Sequence, residues 1–363
     1  MRLGLVVAAL TLLVAHSAWA QGCPRGDSKW TDTEYEAWRT LCAGDPVEIT
    51  PPYGRMEPPL PGRPLPPNVL SAAFLKTILT VEPYASALPL VHITGAIVTG
   101  TFDVSGVTIR PDVLFYDSHF LDGVVLDEMR AAGTWAFVHC YLPGPFRARG
   151  ASVAGGFSLA ESFAVEGVDL SGLQVGGDVV LRYLEAPTLT ASGLIATAQL
   201  DLEQITVSTG EFILTGVHVG ADATIAPSGA VRRVDLRDAA VGQRLRVGPV
   251  AWTAAATLDL TRARVGALVA VGPLPAETGM PFRQLAEALT AGGNPLAAAG
   301  VLRRGLERER LEGPLPQRLW LSLSKWTTDY GIEPAGVWRA AALAALALAA
   351  AAGVWWAFRR RRA

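Results

Sequence analysis

Lysine is almost missing from this chain of 363 residues, charged residues of all kinds make up only 18%, and cysteine occurs three times. The bases and acids nearly cancel, 31 against 33, so the sequence has no basic surplus that would bind nucleic acid. No nucleophile motif, phosphate-binding loop or dinucleotide fingerprint occurs, and no CxxC or Cys/His cluster offers metal ligands. The sequence therefore predicts no catalytic residue, no metal and no cofactor.

The few cysteines predict one disulfide bond. Cys23 and Cys42 bracket a short segment in which Thr31 and Glu34 have the spacing of a helical capping box, and aromatic residues then recur at helical spacing. A Cys23–Cys42 bridge would staple this helix into a small head over residues 21–45. Cys140 would remain single.

The N-terminus has the pattern of a secretory signal. A basic start precedes an apolar run over residues 3–15, and Ala18 and Ala20 supply the small residues before a cleavage site. We therefore expect residues 1–20 to be a signal peptide. The alternatives are an uncleaved N-terminal anchor and a lipoprotein attached through Cys23.

Residues 335–358 predict one transmembrane helix. They contain a single base and no acid, and as a helix they would rise roughly 36 Å. Tryptophans near both ends favour the two water boundaries, and the arginines of the tail 359–363 favour the cytoplasmic side. The chain should be a single-pass membrane protein whose long N-terminal part is periplasmic or extracellular. The residues of this anchor are Trp338, Trp355, Trp356, Arg359, Arg360, Arg361 and Arg362.

Residues 46–67 predict a stiff, extended linker, because nine of these 22 residues are proline. The linker either separates the head from the next domain or lies along that domain's surface as a strap. The sequence leaves both open.

From about residue 90 a nine-residue pattern recurs in which apolar residues alternate with other residues around a small one. The eight stretches start 22, 33, 22, 21, 23, 22 and 24 residues apart, at residues 96, 118, 151, 173, 194, 217, 239 and 263. Alternation predicts strands, and a second strand-like piece lies between stretches. With two or three short strands per turn, residues 68–275 predict a mainly β fold, a parallel β-helix of about eight coils. A β-sandwich is the alternative.

In this solenoid one apolar column should run through the stack, formed by Val98, Val153, Val175, Val219, Val241 and Val265. The 33-residue step predicts an extra aromatic loop over residues 134–147 that bulges from the rod. Its His139 and Cys140 are the candidates for a special site. An ordinary shielding loop is the alternative.

Residues 276–312 predict a helical hairpin similar to one tetratricopeptide unit, which would cap the solenoid. Leu296, Ala299, Leu302 and Leu306 should form the apolar face of its second helix. Residues 313–334 predict an interfacial helix, with apolar and aromatic residues at helical spacing over residues 317–330.

The order of these segments resembles a known group of proteins. The repeats have a V-x-G-x-L character, the hairpin reads FRQLAEAL and VLRRGLERER, and WTTDYGIEP at residues 326–334 precedes the membrane helix. This combination resembles bacterial membrane-anchored proteins distantly related to pentapeptide-repeat proteins. The resemblance implies a β-helical fold and membrane attachment, with no defined activity. The sequence lacks a strict five-residue cadence, which weighs against a square, four-sided coil.

These features favour a non-catalytic scaffold or interaction protein of the bacterial envelope, with membrane lipid and an envelope glycan or protein as partners. The alternative is a polysaccharide lyase or hydrolase, because such rods can carry paired carboxylates for acid and base chemistry. Asp178, Asp201 and Asp222 would form its acid row. A second local group is Asp112, Asp117, Asp122 and Asp127 with His119.

Overall fold

The computed structural model describes residues 23–49, 69–272, 274–275, 280–328 and 330. The predicted signal peptide, most of the proline-rich linker, the transmembrane helix 335–358 with Trp338, Trp355 and Trp356, and the basic tail lie outside these residues. The chain divides into two compact units. The first holds the residues up to Arg264 and from Val271 to Thr278, and the second holds Val265–Ala270 and the residues from Gly279.

The first unit is built almost entirely of strands, most of them very short. Each short strand forms one straight side of a coil. In chain order the strands are β1 (Val47–Glu48), β2 (Val69–Ser71), β3 (Leu90–Thr94), β4 (Ile97–Thr99), β5 (Phe102–Asp103), β6 (Thr108–Ile109), β7 (Asp112–Tyr116), β8 (His119–Phe120), β9 (Val124–Val125), β10 (Arg130–Ala131), β11 (Trp135–Val138), β12 (Tyr141–Leu142), β13 (Phe146–Arg147), β14 (Ser152–Val153), β15 (Phe157–Ser158), β16 (Phe163–Ala164), β17 (Val168–Asp169), β18 (Gln174–Val175), β19 (Val179–Val180), β20 (Glu185–Ala186), β21 (Leu189–Thr190), β22 (Ile195–Ala196), β23 (Leu200–Glu203), β24 (Thr206–Val207), β25 (Glu211–Ile213), β26 (His218–Val219), β27 (Ala223–Ala226), β28 (Ala230–Asp235), β29 (Ala240–Val247), β30 (Ala251–Asp259) and β31 (Arg264–Ala270).

Strands β1 to β30 stack in parallel on four sides of a solenoid, while β31, apart from Arg264, belongs to the second unit. Side 1 runs β1-β3-β7-β11-β15-β19-β23-β27, side 2 runs β2-β4-β8-β12-β16-β20-β24, side 3 runs β5-β9-β13-β17-β21-β25-β28-β30, and side 4 runs β6-β10-β14-β18-β22-β26-β29. The long strand β29 pairs with both β26 and β27, and so joins sides 4 and 1. The predicted parallel β-solenoid of about eight coils is confirmed.

The number of strands per coil was predicted incorrectly. A complete coil has four short strands rather than two or three, as in β15, β16, β17 and β18. The nine-residue pattern covers two neighbouring sides and the turn between them, so it describes half a coil. The sequence has no five-residue cadence because a coil here, from one corner residue such as His139 or Glu161 to the next, is longer than four sides of five residues.

The valine column is confirmed for its central members. Val153 pairs with Val175, and Val219 pairs with Val241 on side 4, with Ala196 between the two pairs. All are buried, because alternate side chains of each strand point into the solenoid. Val98 does not belong to this column, and Val265 is only half-buried. Val98 lies on side 2 opposite Phe120, and Val265 lies in the second unit.

Residues 134–147 are a regular coil and not a bulging loop. Trp135 pairs with Val113 and Phe157 on side 1, and the segment supplies β12 and β13 to the next two sides. Its alternate aromatic side chains point inward, where Phe115 and Phe137 stack with their ring centres 5.5 Å apart. The 33-residue step arose because the matched pattern moves from sides 2 and 3 at residue 118 to sides 4 and 1 at residue 151.

The N-terminal residues form a helical covering of the first coil. The helices here are α1 (Asp32–Cys42), α2 (Ala72–Thr80) and α3 (Tyr84–Ala87). The predicted capping box of Thr31 and Glu34 and the Cys23–Cys42 disulfide are both confirmed. The Glu34 carboxylate also accepts hydrogen bonds from the backbone and the hydroxyl of Ser71, at 3.0 and 2.6 Å, which attaches the head to β2 and α2.

The second unit contains the predicted C-terminal helices, α4 (Phe282–Ala291), α5 (Pro295–Glu312) and α6 (Leu315–Thr328). Asn294 caps α5, and Pro295 occupies its first turn as predicted. The buried face of α5 differs from the expected one and consists of Ala298, Val301 and Gly305. Leu296 is 86% exposed. Within the described ranges we find no helix with the length and apolar character needed to cross a bilayer.

Candidate functional site

The corner between sides 1 and 2 carries side chains where the backbone would favour glycine. In five successive coils the corner residue has a positive φ of 48° to 55° and is not glycine. At the corner between sides 3 and 4 the same conformation is mostly supplied by glycines, such as Gly150, Gly172 and Gly193. A side chain in the left-handed region costs roughly 1 kcal/mol. We call the five residues the polar corner column: Asp117, His139, Glu161, Tyr183 and Gln204.

His139 is at the centre of this column, between two carboxylates. Its Nδ1 lies 3.5 Å from Asp117 Oδ1, and its Nε2 contacts Glu161 Oε2. Backbone hydrogen bonds connect the same three coils, because Asp117 N donates to Val138 O and His139 N donates to Ala160 O. One imidazole therefore bridges three coils at a solvent-accessible corner.

Cys140 points the opposite way, into the solenoid. Its Sγ lies 3.5 Å from Val138 O and 3.6 Å from Phe115 O, and the residue is fully buried. Burial raises the pKa of the thiol to about 12, so it stays protonated. Ser162 occupies the same place one coil on and accepts a hydrogen bond from Cys140 N at 3.0 Å. The candidate pair His139 and Cys140 is therefore split between the surface and the core.

The proposed acid row is distributed over two different surfaces. Asp178 and Asp222 lie at the corner between sides 4 and 1, two coils apart, and each accepts the backbone N–H of the residue one coil on. For Asp222 this residue is Arg244, whose side chain also donates to the carboxylate at 2.6 Å and lowers its pKa. Asp201 lies on side 1, where Arg182 Nε donates to it at 2.6 Å. These carboxylates connect neighbouring coils.

The second acidic group is likewise separated by the fold. Asp112, Asp117, Asp122 and Asp127 are five residues apart and occupy the four corners of one coil. Three of them accept backbone N–H groups of neighbouring coils, Asp112 from Thr134, Asp122 from Gly100 and Asp127 from Arg149. Among the described residues no group of three His, Cys, Asp or Glu side chains has the arrangement of a metal site.

The outer face of side 2 carries a row of rings that the sequence reasoning did not identify. His119, Tyr141 and Phe163 follow one another in register on β8, β12 and β16, and exposure increases along the row from the buried His119 to Phe163. The ring centres of His119 and Tyr141 are 5.5 Å apart, and those of Tyr141 and Phe163 are 5.9 Å apart with nearly parallel planes. The sequence does contain a sign of this row, because the three residues are 22 positions apart, which is the length of one coil. We call them the aromatic strip.

The second unit has its own cavity and ion-pair cluster. A cavity of about 510 Å³ lies between α4 and α5 and is lined by Phe282, Leu302, Leu306 and Tyr330 among others. Beside it, Glu307 accepts hydrogen bonds from Arg310 at 2.5 Å, from Lys325 at 2.9 Å and from Tyr330, which together hold its pKa well below the usual range. This cluster connects α5 to α6.

The fold and these surface columns define a four-sided parallel β-solenoid protein with a helical second unit. No protein-family model, curated protein or solved structure matches the chain.

Proposed function

We propose that this chain is a non-catalytic, exported scaffold or interaction protein of the bacterial cell envelope. The observation that carries the proposal is the arrangement of the solenoid's outward side chains in long columns, one residue per coil. Such columns give an extended recognition surface of the kind that repeat proteins use. The proposal also includes a distant relationship to pentapeptide-repeat proteins, which the four-sided coil supports.

The proposed membrane attachment is supported by the surface of α6. Leu315, Leu319 and Trp320 are 64% to 69% exposed, an unusual density of large apolar side chains on one helix. This helix is followed by the apolar sequence 335–358 and four arginines. An amphipathic helix beside a membrane anchor is suited to the lipid headgroup region. Tyr330, grouped with this face in the sequence, instead contacts Glu307.

The topology can be tested with two reporters fused to Ala363 of the full chain. Alkaline phosphatase, which is active only outside the cytoplasm, should be inactive there. A fluorescent protein that matures in the cytoplasm should be bright. Active phosphatase at Ala363 would contradict the proposed orientation.

The scaffold role can be tested by incubating the full chain in detergent with purified envelope glycans and envelope proteins. We expect retention of an intact partner. Release of oligosaccharide would instead favour the alternative, a polysaccharide lyase or hydrolase using Asp178, Asp201 and Asp222. That alternative has less support from the geometry, because Asp201 and Asp222 are each bound by an arginine and lie on different surfaces of the solenoid.

A further inference from the structure

The outer face of side 2, together with the corner that joins it to side 1, differs from the other surfaces of the solenoid in its exposed rings. Phe163, Val165 and Tyr183 are 36%, 43% and 50% exposed and lie within two successive coils. Phe163 has Tyr141 on one side in its column and Glu185 on the other. One face of the Phe163 ring is therefore stacked on Tyr141, and no aromatic residue follows toward the next coil.

Carboxylates flank this exposed ring at regular positions. Glu161 and Phe163 are separated by one residue in the same coil, and Tyr183 and Glu185 take the same two positions one coil on. Rings and carboxylates thus alternate in both directions, along the strand and along the stack. Carboxylates accept hydrogen bonds from hydroxyl groups, and the negative faces of aromatic rings attract weakly positive C–H groups.

The same surface disfavours other kinds of partner. The strands of side 2 contain no lysine or arginine in the described part of the chain, and Arg182, which precedes Tyr183, is paired with Asp201 and Glu203, so a polyanion finds no unpaired arginine or lysine there. Backbone groups are also occupied, since Phe163 N donates to Cys140 O and Glu185 N donates to Ser162 O, each at 2.9 Å. A partner peptide cannot add a strand to a face whose backbone is already paired.

We propose that this face of side 2, from Tyr141 to Tyr183 and Glu185, binds a neutral glycan chain. Sugar rings stack against Phe163 and Tyr183. Sugar hydroxyls donate hydrogen bonds to Glu185 and to the Glu161 carboxylate, whose Oε2 also contacts His139. The coils are about 4.8 Å apart, close to the length of one pyranose unit in an extended glycan, so successive sugars meet successive coils. The inference rests on the proposed envelope scaffold and names the ligand class of one of its faces.

The test measures binding by the purified full-length chain in detergent micelles, using calorimetry and saturation-transfer NMR. The probes are hexasaccharides of β-1,4-linked glucose and of β-1,4-linked N-acetylglucosamine, an anionic hexagalacturonate and an oligolysine peptide. At least one neutral hexasaccharide should bind. Phe163→Ala and Tyr183→Asn should each weaken that binding about tenfold or more, as expected for the loss of one stacking ring.

The choice of variants separates the loss of a stacking ring from backbone strain and from the loss of apolar surface elsewhere. Asn tolerates the left-handed backbone at position 183, so this variant removes the ring without added strain. Ile213→Ala is the matched control, because Ile213 has a similar exposure of 38% but lies on side 3, and this change should leave the dissociation constant within about twofold.

The proposal is overturned if neither neutral glycan binds, if only the galacturonate or the peptide binds, or if Ile213→Ala weakens binding as much as the side 2 variants. Binding by purified protein does not depend on membrane orientation. A negative result here would therefore leave the reporter experiment at Ala363 unaffected, and a reversed topology would leave the binding measurement unaffected.

Discussion

Individual carboxylates of the solenoid show how charge is accommodated on so regular a fold. Asp235 is only 3% exposed, yet it accepts hydrogen bonds from Arg237 at 2.7 Å and from Arg233 at 2.8 Å. Burial alone would raise its pKa, but the hydrogen bonds and charges of the two arginines outweigh burial and lower it. A carboxylate in this position stabilises the fold only while it is ionised.

Replacing Asp235 with asparagine should therefore destabilise the protein in a pH-dependent way. Because the folded-state pKa lies below the ordinary aspartate value of 3.8, the carboxylate contributes above about pH 4 and its contribution is lost as the pH falls through the folded-state value. At pH 7 we expect Asp235→Asn to cost about 1–3 kcal/mol, measured by thermal unfolding. The difference from the wild type should shrink below about pH 4.

The control for this prediction is Asp259→Asn, one coil on in the same column but with a side chain 28% exposed. Its effect at pH 7 should be smaller. A difference between Asp235→Asn and the wild type that stays constant from pH 7 to pH 3 would contradict the argument.

Cys140 provides a second prediction for a single residue. The neighbouring coils have serine at the same position, and those hydroxyls donate to carbonyls two residues before them, Ser118 to Tyr116 O and Ser162 to Ala160 O. Cys140→Ser should therefore leave the unfolding midpoint within about 2 °C, since a serine there repeats an existing hydrogen bond. In the native protein an alkylating reagent should not modify the thiol, while in denaturant it should modify it fully. Rapid alkylation of the folded chain would show that the thiol is accessible.

Among the elements, the packing of α4 against α5 depends on a single small residue. A Cβ added at Gly305 would lie 2.7 Å from Phe282 Cβ, whereas one added at Gly300 in the same helix would meet nothing within 4 Å. Gly305 is buried and Gly300 is exposed. Both glycines lower the helix propensity of α5 by the same amount, but their surroundings differ.

These surroundings predict opposite results for the same substitution. Gly300→Ala should stabilise α5 by about 0.5–1 kcal/mol, because alanine is the better helix former. Gly305→Ala should destabilise the second unit by about 1–3 kcal/mol through overpacking against Phe282. Helix content followed by circular dichroism during thermal unfolding measures both. Equal stabilisation by the two variants would show that α4 and α5 do not pack closely at Gly305.

Short patterns in the sequence predict single elements better than they predict the side of the coil to which an element belongs. The capping box, the disulfide and the central valine column were predictable, because each depends on local spacing or on a repeat of constant period. The coil at residues 134–147 was not predictable. The apolar pattern occurs twice in each coil, so one stretch can match sides 2 and 3 and the next can match sides 4 and 1. The face of α5 was misplaced because Gly305, which has no side chain, is the residue that allows Phe282 to approach.

The polar corner column and the aromatic strip were missed for a different reason. Outward positions carry no apolar pattern, so only their spacing of about one coil connects His139 with Glu161 or Tyr141 with Phe163. That spacing becomes visible only when the register of the coils is known. The disagreement over Val98 has the same origin, because its strand belongs to side 2 and not to side 4.

For the whole molecule, each coil of a solenoid contacts mainly its two neighbours, so a disturbance at one end should spread only locally. The head connects to the first coil through Glu34, which is 4% exposed and binds Ser71. Glu34→Ala should increase hydrogen exchange in β1 to β6 and leave β18 to β22 protected. Glu36→Ala is the control on the same helix, since the Glu36 side chain is 68% exposed, and it should change neither region. Loss of protection throughout the stack would contradict nearest-neighbour behaviour.

The register of the coils has a consequence for how such a rod can lengthen. An in-frame duplication of one coil would place every new corner above an existing corner, and each outward column would gain one member. The register is kept even at the long strand β29, because Ala240 and Val241 pair with β26 and Leu245–Val247 pair with β27, on the two sides of one corner. With α1 and α2 covering the first coil, such a duplication fits downstream of that coil, in the part of the stack that holds the aromatic strip.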